Sequence, residues 1–187
     1  EKPAVVKLDN GFAFAGAGPE PRSLNSVVLY LLEQRILPVF IAPKSPWNQG
    51  SVEGSNSIFT RKFWNWERYR SIEHVDQKLV DFNDAYAWYT GYKKPKRSKT
   101  RPKRFVPRVC FIRNVFEDPK TKRGYIDILK EHIPLPKAYI NLFVLAEWNL
   151  KSEQLKILFE REQQPKLLRI KAFSLNSTVK QKFVSFH

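Results

Sequence analysis

Hydrophobic residues follow two rhythms along this chain, one in each half. Ala4-Val5-Val6-Lys7-Leu8 is a short apolar run that stops at Asp9-Asn10-Gly11. That pattern predicts a buried strand whose C-terminal end delivers a carboxylate. A loop carrying Gly16, Gly18, Pro19 and Pro21 follows, then a helix that Ser23 is placed to cap, with Val27, Val28, Leu31 and Leu32 as its apolar face. Pro38-Val39-Phe40-Ile41-Ala42 predicts a second buried strand, and Pro43 to Gly50 a loop. From about Ser51 the period becomes helical, with Val52, Phe59, Phe63 and Trp66 on one broad face. A further helix follows Ser71, its stripe formed by Val75, Leu79, Phe82, Tyr86 and Tyr89. Strand, helix, strand, helix, helix is an α/β arrangement, in which ligands gather beyond the carboxyl ends of the strands, where Asp9 falls.

After Arg104 the rhythm changes to short runs rich in β-branched and aromatic residues. Phe105 to Phe116, Tyr125 to Ile133, Ala138 to Ala146, Leu155 to Phe159 and Leu167 to Leu175 are expected as strands, separated by Pro-, Gly- and Asn-containing breaks. Short strands in this number predict a small antiparallel barrel that closes its own edges. The expected fold class is therefore α/β plus all-β. Residues 1–92 and 105–187 form the two parts, and 93–104 links them.

Charge sharpens that division. The 187 residues carry a net charge of +15, which makes a polyanion the first partner to consider. Residues 1–92 hold equal numbers of basic and acidic side chains, whereas 93–104 hold eight basic residues and no acidic one. The remaining excess lies in 105–187. Pro95, Pro102 and the lack of apolar residues make 93–104 an extended, self-repelling linker. The lone Cys110 excludes a disulfide framework and is expected in the core. His74, His132 and His187 have no partners at metal-site spacing. No apolar run approaches the roughly 18 to 20 residues needed to cross a bilayer, so no membrane is expected as a partner. The composition suggests a soluble protein of a reducing compartment. The chain opens at Glu1 and contains no Met, which leads us to expect an excerpt of a longer protein.

Two carboxylates stand out. Asp9, taken alone, opens a tripeptide typical of tight turns. Glu53, taken alone, sits where the helix dipole favours an acid. Together they belong to a longer pattern: Leu8-Asp9-Asn10-Gly11-Phe12-Ala13-Phe14, a helix, an Ile-x-Pro-x-Phe-x-Ala-Pro strand from Ile36 to Pro43, then Ser45-Pro46-x-x-Gln49-Gly50-x-Val52-Glu53-x-x-Asn56. Over residues 4–90 this resembles the catalytic core of retroviral-type integrases and DDE transposases, a ribonuclease H-like fold. By order and pattern, the β-rich part resembles the Src-homology-3-like barrel that follows such cores.

The resemblance implies that Asp9 is the second acid of the family's triad and Glu53 the third, both holding Mg²⁺ or Mn²⁺. Phosphodiester transfer by two such ions requires hard oxygen ligands rather than a His/Cys cage. The family's first aspartate belongs to an earlier strand and would lie upstream of Glu1. The Asp9-to-Glu53 interval is longer than the family pattern, with the loop from Ala15 to Arg22 absorbing the excess, and Gly54 stands where a basic residue is common. The parent is thus expected to bind transposon ends and target DNA and to catalyse cleavage and strand transfer within a homo-oligomer. Its setting would be the bacterial cytoplasm, associated with the nucleoid. Asn56, one turn beyond Glu53, is a candidate for orienting a phosphate. The expected DNA contacts are Lys93, Lys94, Lys96, Arg97, Lys99, Arg101, Lys103 and Arg104 in the linker. In the β-rich part they are Arg108, Arg113, Lys120, Lys122 and Arg123. Trp64, Trp66, Trp88 and Tyr92 are expected to pack helices rather than stack on bases. Two rival readings stay open: a catalytically dead nucleic-acid-binding remnant or regulatory module, and a structural RNA-binding protein.

Overall fold

The structure is a computed structural model that describes residues 2–11, 21–43, 50–91, 105–161 and 164–176, the side chains of Ser51 and Arg161 excepted. Linker residues 93–104 and Tyr92 lie outside this set, as does His187. The chain divides into two compact units, one made of Glu1–Ser45 with Arg104–His187 and the other of Pro46–Lys103.

In the first unit, β1 (Val5–Leu8) leads to α1 (Ser26–Glu33) and then β2 (Leu37–Phe40). β1 and β2 pair in parallel, with Val5 opposite Leu37 and Leu8 opposite Phe40, the arrangement that a helical crossover produces. Asn25, not Ser23, caps α1: its Oδ1 accepts from the Val28 amide at 3.1 Å. The helix buries Val28, Leu29, Leu31 and Leu32, so Leu29 takes the place in the core that was expected of Val27.

The β-rich segment does not stand apart from this α/β unit. β3 (Arg108–Asn114) runs parallel to β2, with Val39 opposite Cys110 and Phe40 opposite Phe111. It also pairs antiparallel with β7 (Phe143–Asn149), which continues to β8 (Gln154–Arg161) and β9 (Gln164–Ala172). The result is a six-stranded mixed sheet in the order β1-β2-β3-β7-β8-β9. The expected division at the basic linker is therefore replaced by one in which both ends of the chain share a sheet. The physical reason is Val109, Phe111 and Phe40: their side chains are fully buried, and the Phe40 and Phe111 rings stack with centroids 5.1 Å apart.

A second sheet contains β4 (Phe116–Glu117), β5 (Gly124–Ile128) and β6 (Glu131–Leu135) in antiparallel order. Among the described residues the strands form two open sheets, not a closed barrel. The run expected as one strand from Tyr125 to Ile133 is a hairpin, turned at Leu129 (φ 46°) and Lys130 (φ 67°). A two-residue type I′ hairpin turn needs positive φ at both positions, usually signalled by Asn or Gly. Here neither residue type is present, and burial of Ile126, Ile128 and Ile133 on either side accounts for the closure. The expected strand from Ala138 starts instead as a short helical turn, Lys137–Tyr139, followed by Asn141 at φ 65°.

One apolar core joins all of this, running from Leu8, Leu32 and Phe40 through Phe111, Ile126 and Trp148 to Phe173. Trp148 is fully buried, and its indole N–H donates to the Phe173 carbonyl at 2.7 Å, so its one polar atom is satisfied. Cys110 is buried as expected, and burial pushes its thiol up to about 11, which leaves it an unreactive core side chain.

The second unit is helical. α2 (Gly50–Phe59) runs into one π-helical turn, Thr60–Trp64, and α3 spans Ile72–Thr90. Ser71 caps α3, its Oγ accepting from the His74 amide at 3.2 Å, and Gly91 ends it at φ 62°. Phe59, Phe63, Tyr69, Phe82 and Tyr86 form a chain of ring contacts between these helices.

Gly124, at the start of β5, packs closely against Val115 and the backbone after β6. A Cβ there would meet Val115 Cγ1 at 2.9 Å and the Pro136 carbonyl at 3.1 Å. Gly124→Ala is expected to destabilise the fold by about 1–3 kcal/mol, the scale of overpacking a filled core. Urea unfolding measures this, and an unchanged midpoint would contradict the close approach.

Candidate functional site

Asp9 directly follows β1 at the carboxyl ends of the parallel strands, the position where α/β sheets bind ligands. The residue is half-buried, and its Oδ1 accepts from the Gly11 amide at 2.9 Å, closing an Asx turn. A Cβ on Gly11 would lie 3.0 Å from that same Oδ1. Gly11 therefore matters for close approach: a larger residue would press on the carboxylate. Between them, Asn10 donates from Nδ2 to the Ile41 carbonyl at 2.7 Å. The Ile41 amide in turn donates to the Leu8 carbonyl at 2.9 Å, so the ends of β1 and β2 are tied together.

Arg113 is the main departure from the expected contacts. It is 7 % exposed, at the buried end of β3, where the expectation was a solvent-facing phosphate ligand. Its Nη2 donates to Asn10 Oδ1 at 2.9 Å. Nη1 donates to the carbonyls of Ile112 at 2.8 Å and Ile41 at 3.2 Å, and Nε to that of Asp127 at 3.0 Å. The guanidinium also lies over the Phe111 ring, 5.2 Å from its centroid. Burial draws its pKa down to about 10, with the Asp127 charge acting in the opposite sense, and it remains a cation at neutral pH. With its donors turned inward, Arg113 is withdrawn from phosphate contact. Sequence reasoning missed this because a strand's alternation marks only which face a residue occupies, not which loop lies across it.

Glu53 occupies the first turn of α2, exposed, with Asn56 exposed one turn later. Asp9 belongs to one compact unit and Glu53 to the other. Both supply the hard oxygen donors that Mg²⁺ or Mn²⁺ takes, and Asp9, half-buried at a strand end, fits such an ion better than the exposed Glu53. Among the described residues no three His, Cys, Asp or Glu side chains come together as a metal-holding group.

The remaining expected cations separate by environment. Arg108 pairs with Glu147 at 3.0 Å and Lys122 with Glu117 at 3.5 Å, whereas Lys120 and Arg123 stand exposed on the loop between β4 and β5. The eight linker cations lie outside the described residues. Two basic residues that the sequence did not single out complete a surface. Arg123, Lys137 and Arg169 line an open concavity of about 460 Å³ floored by Pro134, Leu135, Pro136 and Leu168. Arg169 is oriented by its hydrogen bond to the Pro134 carbonyl at 2.8 Å. These cations come from separate elements, so no local run in the sequence could have announced them.

Aromatic exposure in the helical unit also differs from expectation. Trp64, Trp66 and Trp88 are 55 %, 72 % and 86 % exposed, so the helix-packing role falls instead to the Phe and Tyr rings described above. His74 pairs with Glu67 at 3.1 Å, and His132 lies between Asp127 at 3.1 Å and Asp118 at 3.7 Å. Among the described residues no helix is long and apolar enough to cross a membrane. Compared with family models and with curated proteins, the chain gives no match.

Asp118 organises the loop that presents Lys120 and Arg123. Its Oδ1 accepts from the amides of Thr121 and Lys120 at 2.9 and 2.8 Å, and these bonds hold its carboxyl below the ordinary aspartate value. Because the folded value is the depressed one, the turn's stabilisation holds above the ordinary range and is lost as pH falls through the folded value. An NMR titration of the Asp118 carboxyl is expected to show that lowered midpoint. A midpoint at or above that of an unstructured aspartate would remove this account of the loop.

Proposed function

We propose that this chain is the C-terminal part of a DDE-type transposase or integrase, with Asp9 and Glu53 as two of its metal-binding carboxylates. In this reading β1, α1 and β2 are part of a ribonuclease H-like core, and the strands from β3 onward are the counterpart of the Src-homology-3-like element. The observation that carries the reading is the Asp9 carboxylate in a tight Asx turn, at the carboxyl end of a parallel β-α-β pair. Asp9 and Glu53 would hold divalent ions, which when bound would supply activation of the attacking oxygen and stabilisation of the leaving one in phosphodiester transfer. The chain's own residues do the rest. Asp9 and Glu53 offer oxygens, Asn56 orients a phosphate, and the linker cations together with Lys120, Arg123, Lys137 and Arg169 of the β-rich part hold the DNA backbone.

DNA capture has its own support in the charge distribution. The +15 lies entirely beyond residue 92, and the concavity formed by Arg123, Lys137 and Arg169 adds convergent cations to the linear run. The partners proposed are transposon-end and target DNA, engaged by a homo-oligomer of the parent protein in a bacterial cytoplasm.

Two measurements test the reading. The chain should bind a mixed-sequence DNA duplex with a log-log salt slope near −5 to −7, corresponding to about 6 to 8 neutralised phosphates. Arg123→Ala and Arg169→Ala should each make the slope shallower by about 1. Affinity indifferent to salt would overturn DNA capture. In the parent polypeptide, Asp9→Asn and Glu53→Gln should each lower Mg²⁺-dependent strand transfer by about 1000-fold, the scale for removing a group the transition state needs. Unchanged activity in either variant would remove that carboxylate from the site.

A further inference from the structure

We propose that Arg113 is a positioning residue for Asp9: from β3 its guanidinium clamps Asn10 and thereby sets the direction of the neighbouring carboxylate. What Asp9 does with that direction rests on the function proposed above; the clamp itself does not.

The geometry is a closed circuit. Arg113 Nη2 donates to Asn10 Oδ1 at 2.9 Å, Asn10 Nδ2 donates to the Ile41 carbonyl at 2.7 Å, and Arg113 Nη1 donates to that same carbonyl at 3.2 Å. The circuit admits only one orientation of the Asn10 amide, because its oxygen must face the cation and its nitrogen the carbonyl. Asn10 is thus held at both ends, by β3 and by the end of β2. The residues on either side of it are the two that close the Asx turn, Asp9 and Gly11. With Asn10 fixed, the turn has little freedom left, and Gly11 permits the carboxylate to sit close against it.

The choice of residue supports a specific role. A buried charge is expensive to desolvate, and an apolar side chain of similar volume often serves packing at least as well. Val109 and Phe111 occupy the same face of β3 and are fully buried, so an apolar residue at position 113 would continue an existing core. The guanidinium there meets backbone carbonyls and the Asn10 side chain, and its Asn10 bond reaches across a separation of 103 positions. That contact ties the β-rich part to the turn that carries the candidate catalytic acid. Support for Asp9 therefore comes from beyond the basic linker, from the segment expected to serve DNA binding alone.

The test uses the ¹⁵N-labelled chain and follows the Gly11 amide and the Asn10 side-chain amide by NMR. Arg113→Met, Arg113→Lys and Asn10→Ala are compared with Asn25→Ala, which weakens the α1 cap without touching the turn. Arg113→Met and Asn10→Ala should each speed Gly11 amide exchange by about 10-fold and weaken Mn²⁺-induced broadening of that amide by about 10-fold, as loss of a group supporting a ligand does. The double variant should be no worse than either single one, since both break the same circuit. Arg113→Lys should retain part of the effect, because an ammonium reaches Asn10 but lacks the fork that also holds the carbonyls. Asn25→Ala should leave both readouts unchanged while lowering global stability. If Arg113→Met does not fold, Asn10→Ala and Arg113→Lys still decide the matter. Wild-type Gly11 exchange in folded Arg113 variants, or additive losses in the double variant, would overturn the proposal. If Mn²⁺ fails to broaden Gly11 in the wild type, or still does so in Asp9→Asn, the metal reading of Asp9 falls. The exchange arm then decides the positioning role by itself.

Discussion

The architecture of the larger unit depends on β3, which is hydrogen-bonded on both edges and buried through its centre. On one edge it meets β2 in parallel, and on the other β7 antiparallel. Val109, Cys110 and Phe111 are buried in succession, as expected of a strand in the middle of a covered sheet. Remove that strand and β1-α1-β2 would keep an open edge, while β7 to β9 would lose their attachment to it. Because one core runs through all these elements, the α/β and β-rich parts of this unit are expected to fold together.

That shared core gives Arg113 its significance. A cation at the end of a buried strand must find partners inside the protein, and here it finds them at the point where β1 and β2 end. The same constraint that makes β3 central also carries its charge to the Asp9 turn. Packing and chemistry are linked through one side chain, whereas the other cations among the described residues lie exposed or paired with acids.

The positive charge is organised on a different principle. Arg108 pairs with Glu147 on the neighbouring strand, and Lys122, on the loop after β4, pairs with Glu117. By contrast, Arg123, Lys137 and Arg169 converge on one concavity although they derive from three separate stretches of chain. A polyanion reading drawn from net charge alone treats all cations alike. Desolvation and pairing then divide them into a structural cation, paired surface cations and cations that face solvent together.

Local order was well legible. The β1, α1 and β2 assignments, the helix that follows Ser71 and the core position of Cys110 follow from apolar period and local signals, and the structure agrees with each to within a residue or two. Local signals failed where the sequence offered no marker, or two rival ones, for the deciding contact. The turn at Leu129 and Lys130 carries no Asn or Gly to mark it, and α1 starts from Asn25 because that side chain, rather than Ser23, reaches the Val28 amide. Trp64, Trp66 and Trp88 have helical spacing yet remain exposed, since spacing selects a face but does not supply a neighbour to cover it. By itself the sequence determined the Asp-Asn-Gly turn, the parallel strand pair that carries it and the uneven distribution of charge. Only the tertiary structure decided that β3 joins that sheet and that Arg113 is buried against Asn10. Pairing partners far apart in sequence are chosen by which surfaces exclude water together, and no local pattern records that choice.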